Sequence, residues 1–238
     1  MNKLWMQAKD NLSFIGICVV IIAALGILAR LAEHYLPGTR KVSSARRVCI
    51  IGICAAIATV LHILDFPLLF LAPEFYKLDF SELPVMLCGF YLGPSATVAC
   101  EGIKILLKLL LKGTSTAFVG DFANFAVGCS LALPATILYH LGKSRRSAIL
   151  GLCVGSVVLT VFGSAFNAIY LLPKFAQLYG MPLDTIITMG SKINGNISSL
   201  FTFVLLAVAP LNLIKGASIS VLTLLLYKKV ARPLFEKH

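Results

Sequence analysis

Apolar residues run along the chain in long blocks, without the strict alternation of half-buried strands. A helix needs about 20 mostly apolar residues to cross the hydrocarbon core of a bilayer. Seven stretches read as spans on that scale: 12–32, 48–66, 83–92, 95–111, 122–141, 148–172 and 197–227. The third is short and is ended by Gly93-Pro94. The last is too long for one straight span, and Pro210 and Gly216 allow a bend or an unwound section. Residues 67–82 are apolar and aromatic, but Pro67 and Pro73 argue against a span. That segment reads as an outer loop folded back as a lid. Ser81, three residues before Pro84, reads as the N-cap of the short third helix.

Composition agrees with the pattern. Of 238 residues, 58% are hydrophobic and 13% charged, about half the charge of an ordinary soluble domain. A soluble surface could not be built from so few charges. The fold class expected is an all-α integral membrane protein, which excludes a secreted disulfide scaffold, a nucleic-acid-binding domain and a disordered chain.

The net charge of +11 then needs a location. Arg40, Lys41, Arg46 and Arg47 lie between stretches one and two, and Lys143, Arg145 and Arg146 between five and six. Lys228, Lys229, Arg232 and Lys237 follow stretch seven. With seven spans all three clusters fall on one side, the cytoplasm by the positive-inside rule. The C-terminus is then cytoplasmic and the N-terminus outside. The basic charge is a signal of topology and of attraction to anionic lipid, with no need for an anionic ligand. Lys3 and Lys9 before an apolar run also suit a signal peptide, but the run is long and lacks a small-x-small cleavage site, so a retained helix is expected.

Several features look chemical and read more simply. The seven cysteines sit singly in apolar runs, as small hydrophobes, and imply neither metal nor cofactor. Gly142-Lys143-Ser144 imitates the end of a phosphate loop, but Ile137 stands where its first glycine belongs. His62 and His140 lie near span ends and read as interfacial. Gly151-x-x-x-Gly155 would let two helices approach closely. No nucleophile with its base and no acid pair placed for hydrolysis is found, so an enzyme is not expected.

Ionisable and amide side chains inside spans are costly and call for a partner or a function. Glu101 and Lys104 share a helix face and read as an ion pair, with Lys108 and Lys112 continuing that face to where lysine can snorkel. Asn124 opens the fifth stretch, Asn167 lies in the sixth near Tyr170, and Asn212 and Lys215 lie midway along the last. Three amides and one ammonium among apolar helices suit a neutral, flat ligand with polar edges. Hydrogen bonding between helices is the alternative for any one of them.

The motif Leu78-Asp79-Phe80-Ser81-Glu82-Leu83-Pro84 resembles the L-D-F-S-[DE]-x-P segment of riboflavin-specific S components of energy-coupling factor (ECF) transporters, the RibU type. Further matches follow in order: Phe90-Tyr91-Leu92-Gly93-Pro94, Ile103-Lys104, Phe122-Ala123-Asn124-Phe125, Leu171-Leu172-Pro173 and Pro210-Leu211-Asn212-Leu213-Ile214-Lys215-Gly216. The resemblance covers the chain from about Ser44 onward. It implies a six-helix S-component bundle over residues 41–238, to which residues 1–40 add one N-terminal transmembrane helix and a linker.

The function so implied is capture of riboflavin from outside a bacterial cell, for ATP-driven uptake through a coupling subunit and two ABC-type ATPases. Carried over by position, Asn167 and Lys215 would bind the edge of the isoalloxazine ring. Asn124 and the Leu78, Asp79, Phe80 segment would line the pocket or meet the ribityl chain, and Tyr170 and Asn212 complete the expected set. The family's docking face for the coupling subunit would be Gly52 and Ala56, with Ala55 and Ala58 beside them. Rival readings are an S component for another vitamin or for FMN, and a self-sufficient secondary transporter. The last predicts ion-coupling carboxylates in the spans and an inverted repeat. Only Glu101 is deep, and no repeat is visible.

Overall fold

A computed structural model describes residues 12–36, 42–114 and 116–227. Its helices are α1 (Leu12–Tyr35), α2 (Ser44–Ile63), α3 (Glu82–Leu92), α4 (Pro94–Lys112), α5 (Val119–Gly142), α6 (Arg145–Tyr179), α7 (Leu183–Ser191) and α8 (Leu200–Leu226). Between α2 and α3, β1 (Phe66–Pro67) and β2 (Lys77–Leu78) form a short antiparallel ladder, pairing Phe66 with Leu78 and Pro67 with Lys77. Helices α2, α5, α6 and α8, and the segment Cys18–Tyr35 of α1, are long and apolar enough to cross a membrane. Helix α4 has the length but carries Glu101, Lys104, Lys108 and Lys112. The architecture is that of an all-α membrane protein.

One helix outruns its expected end, and another runs unbroken where a bend was allowed. The sixth stretch continues past Leu172 and through Pro173 to Tyr179. The last helix begins at Leu200 and passes Pro210 without unwinding. In both cases a π turn precedes the proline, at Asn167–Leu171 and at Val204–Val208. Proline lacks an N–H and its ring crowds the preceding turn. A widened turn reroutes the hydrogen bonds and relieves that conflict. Helix α7, in the loop before α8, was not expected at all.

Helix α3 is short, and nine of its eleven residues are buried within the bundle. Ser81 stands at its N-cap position, yet its side chain caps nothing. Its hydroxyl instead accepts from Lys104 Nζ at 3.0 Å. Helices α5 and α6 are in backbone contact: a Cβ on Gly151 would lie 2.6 Å from the Ala135 carbonyl oxygen, and one on Gly155 would overlap that of Leu131. Close packing of this kind holds helices together where lipid supplies no hydrophobic contrast.

Helix α1 packs on α4 and α5, with Ala29 fully buried. At its C-terminal end Glu33 lies 3.1 Å from Arg47 Nη2, which also donates to Ser95 Oγ at 2.6 Å. One guanidinium thus ties α1 to the starts of α2 and α4. Arg46, Arg47, Lys143, Arg145 and Arg146 lie at one end of the bundle, at the start of α2 and the α5–α6 turn. The basic residues at 40–41 and 228–237 lie outside the described residues.

Two expectations need correction. His62 and His140 are not interfacial: they are 6% and 3% exposed. His140 Nε2 lies 3.0 Å from the Gly89 carbonyl oxygen, and His62 faces Asp79. On α2, Ala55 and Ala58 are fully buried in the bundle core and are unavailable for docking. Gly52 and Ala56 alone of the four face outward, because a 3.6-residue period separates them from Ala55 and Ala58.

Candidate binding site

At the end opposite the basic cluster, the bundle encloses a cavity of about 440 Å³, within the usual range for small-molecule sites. Its walls come from the end of α2, the 64–81 loop, the end of α4, the α4–α5 turn, the start of α5, α6 and α8. The α4–α5 turn lines it with Gly113, Thr114 and Thr116, and within that turn Gly113, Ala117 and Phe118 have positive φ. Glycine takes this conformation without a steric cost, whereas the other two need the surrounding structure to hold them.

The amides converge because their helices do. The π turn of α6 places Asn167 against the loop, where its Oδ1 accepts from the Tyr76 hydroxyl at 2.7 Å. Its Nδ2 donates to the Gly163 carbonyl at 2.7 Å. Asn212 on α8 fits beside Gly163, where a Cβ would stand 2.7 Å from its Nδ2. That Nδ2 is buried with no hydrogen-bond partner, which costs roughly 1–3 kcal/mol unless something else satisfies it. Asn124, on the first turns of α5, lines the opposite wall.

Beneath the cavity lies an ionic cluster. Lys215 Nζ is 3.1 Å from both Asp79 Oδ2 and Glu82 Oε1. Lys104 Nζ is 3.5 Å from Glu82 Oε1 and contacts Glu101 directly. His62 Nδ1 stands 3.6 Å from Asp79 Oδ2, too far for a hydrogen bond. Asp79 also accepts from the Ser81 backbone N–H at 2.8 Å. Burial disfavours its charge, but the Lys215 ammonium beside it, with Lys104 behind, outweighs burial and holds the carboxyl well below the usual carboxylate range. Burial pushes the nearby Tyr76 phenol up, so it stays a neutral donor. Nearer the mouth, Lys108 pairs with Asp121, while Lys77 and Lys112 share Asp65.

Of the residues singled out from the sequence, Asp79, Asn124, Asn167, Asn212 and Lys215 line the cavity. Leu78, Phe80 and Tyr170 are not among its lining residues. Leu78 is buried in the ladder, Phe80 packs on Phe66, and Tyr170 stacks on Phe166 along α6. Lys215 is held by two acids distant in sequence, Asp79 and Glu82. Lys108 is not a snorkelling lysine but is paired and lines the cavity. Sequence reasoning missed His62, Asp65, Tyr76 and Asp121 as lining residues, and Glu82 beneath them. For Glu82 the signal was present: an acid at the head of an apolar helix.

The sequence profile of the family "ECF transporter, substrate-specific component" matches residues 46–227. The riboflavin transporter RibU of Staphylococcus aureus (strain TCH60) is 36% identical over 196 residues, covering 82% of this chain and 96% of that protein. The riboflavin transporter FmnP of Bacillus subtilis (strain 168) is 29% identical, over 81% of this chain and 95% of its own. A solved S component of a bacterial ECF transporter superposes with a TM-score of 0.63 at 34% identity, covering 81% of this chain and 99% of that structure. The profile begins at residue 46, so α1 precedes the shared bundle. A multi-pass helical bundle matched over most of its length, with a cavity roofed by a loop, places this chain among the substrate-specific S components of ECF transporters.

Proposed function

We propose that this protein captures riboflavin from outside the cell and hands it to an ECF module for ATP-driven uptake. The carrying observation is the meeting of Asn124, Asn167, Asn212 and Lys215 in one cavity under the 64–81 loop. Riboflavin is flat and neutral, with two apolar faces, a carbonyl and N–H edge, and a polyol tail. Leu171, Phe175 and Leu211 offer surface to the faces. Asn167, Asn212 and Lys215 serve the edge, and Asp79 and Asn124 complete the polar lining. The names of the curated relatives support this substrate.

The basic end of the bundle is cytoplasmic in this reading, and the cavity opens outside. The outward face of α2, with Gly52 and Ala56 among Val48, Ile53 and Val60, receives the coupling subunit. Two ABC-type ATPases supply the energy through that subunit. The phosphate of FMN fits less well, because Lys77, Lys108 and Lys112 are already paired with Asp65 and Asp121.

The test is direct. The full chain is purified from flavin-containing cells and its absorbance recorded, then the flavin is stripped and riboflavin titrated back. A yellow protein that rebinds riboflavin is expected. A colourless protein that also fails to bind added riboflavin would overturn the assignment.

A further inference from the structure

The cluster beneath the cavity is unbalanced. Two ammonium groups, Lys104 and Lys215, face three carboxylates, Asp79, Glu82 and Glu101. All five side chains are at least nine-tenths buried. With His62 neutral and all three carboxyls ionised, the cluster carries one excess negative charge. His62 is the one cluster member that both lines the cavity and carries an imidazole, the side-chain type able to change its charge near neutral pH. Its Nδ1 faces Asp79 Oδ2 and has no hydrogen-bond partner.

The other walls do not cancel this charge. From the loop, Asp65 is matched to Lys77 and Lys112. From α4 and α5, Lys108 is matched to Asp121. Helix α6 presents Asn167 and the Tyr179 phenol. The excess is therefore local to the group that His62 joins.

Resting on the riboflavin reading above, we propose that ligand binding takes up one proton at His62. Two effects act in the same direction. A ligand carbonyl that accepts from Lys215 draws the ammonium from Asp79 and Glu82, leaving them less neutralised. The apolar ring also displaces water above the cluster, and a net charge costs more as its solvation is lost. A solvent proton on His62 Nδ1 restores neutrality and forms a charged hydrogen bond to Asp79 after a small approach. Because the bound state holds the extra proton, affinity rises as pH falls, by up to about 10-fold per pH unit where the linkage is complete. Riboflavin itself is neutral across this range.

The test is calorimetric titration of riboflavin into the flavin-stripped full chain, in buffers of different ionisation enthalpy, from about pH 6 to about pH 8. The slope of apparent enthalpy against buffer enthalpy gives the protons exchanged. The expected result is net uptake approaching one proton per riboflavin, with affinity falling as pH rises. In His62→Gln the proton count falls to zero, whatever its affinity. Riboflavin that binds with no buffer dependence, or with proton release, would overturn the linkage and leave the substrate assignment standing. Uptake that persists in His62→Gln would overturn the role of His62. Failure to bind riboflavin at every pH would overturn the substrate assignment and the linkage with it. The buffer comparison on the unaltered protein stands even if the variant fails to fold.

Discussion

The Tyr76 hydroxyl donates to Asn167 Oδ1 at 2.7 Å, joining residues 91 positions apart. The bond fastens the 64–81 loop to the π turn of α6, on the wall of the cavity. A substrate edge that needs Asn167 must compete with this phenol. Tyr76→Phe keeps the ring packing on Phe75 and Phe203 but removes the competitor. One neutral hydrogen bond contributes about 1 kcal/mol net. The variant is expected to bind riboflavin about fivefold faster, by stopped-flow quenching of flavin fluorescence. A slower association rate would mean that Tyr76 assists the ligand.

Lys215 should matter twice, for the fold and for the ligand. Lys215→Met leaves Asp79 without its nearest ammonium and Glu82 with only Lys104. Stranding a buried charge costs about 3–5 kcal/mol, so the melting temperature in detergent is expected to drop. Adding Asp79→Asn removes the stranded charge and should recover much of the loss. Riboflavin affinity should stay more than about 10-fold reduced in both variants, from a lost charged hydrogen bond. Affinity that returns with stability would take Lys215 out of the ligand site.

Asn167→Ala tests the edge contact from α6. It removes the acceptor for Tyr76 and the donor to Gly163 together. Riboflavin affinity is expected to fall by more than about 10-fold. An unchanged titration would make Asn167 a structural amide.

Gly155 tests the α5–α6 contact. A Cβ there would overlap the Leu131 carbonyl and crowd Ala135. Gly155→Ala must push the helices apart, at a cost of about 1–3 kcal/mol. A lower melting temperature is expected. Gly52→Ala, whose Cβ would meet open space, should leave it unchanged.

Neighbouring alanines on α2 should behave differently. Ala56 faces outward, while Ala55 is fully buried. Ala56→Phe is expected to spare riboflavin binding but reduce uptake in cells carrying the ECF module. Ala55→Phe should destabilise the protein itself by overpacking. Equal loss of binding and uptake in Ala56→Phe would contradict a docking role for that face.

The amino-acid sequence by itself determined the helical membrane class, the positions of most helices and a short list of costly polar residues. Those follow from local rules: apolar block length, proline and glycine punctuation, and the rarity of charge in a span. The pairing of Glu101 with Lys104 was legible because it is contained in one turn of α4. What Lys215 faces was not, since Asp79 lies 136 residues away and meets it only when the loop folds over α8. The same holds for Tyr76 with Asn167. It also holds for the facing of Ala55 and Ala56, which a list of small residues cannot assign to core or surface. The π turns before Pro173 and Pro210 kept helices whole where local rules expected a stop or a break. Only the tertiary structure decided the ionic cluster beneath the cavity, because it depends on which of many distant charges are brought together and buried.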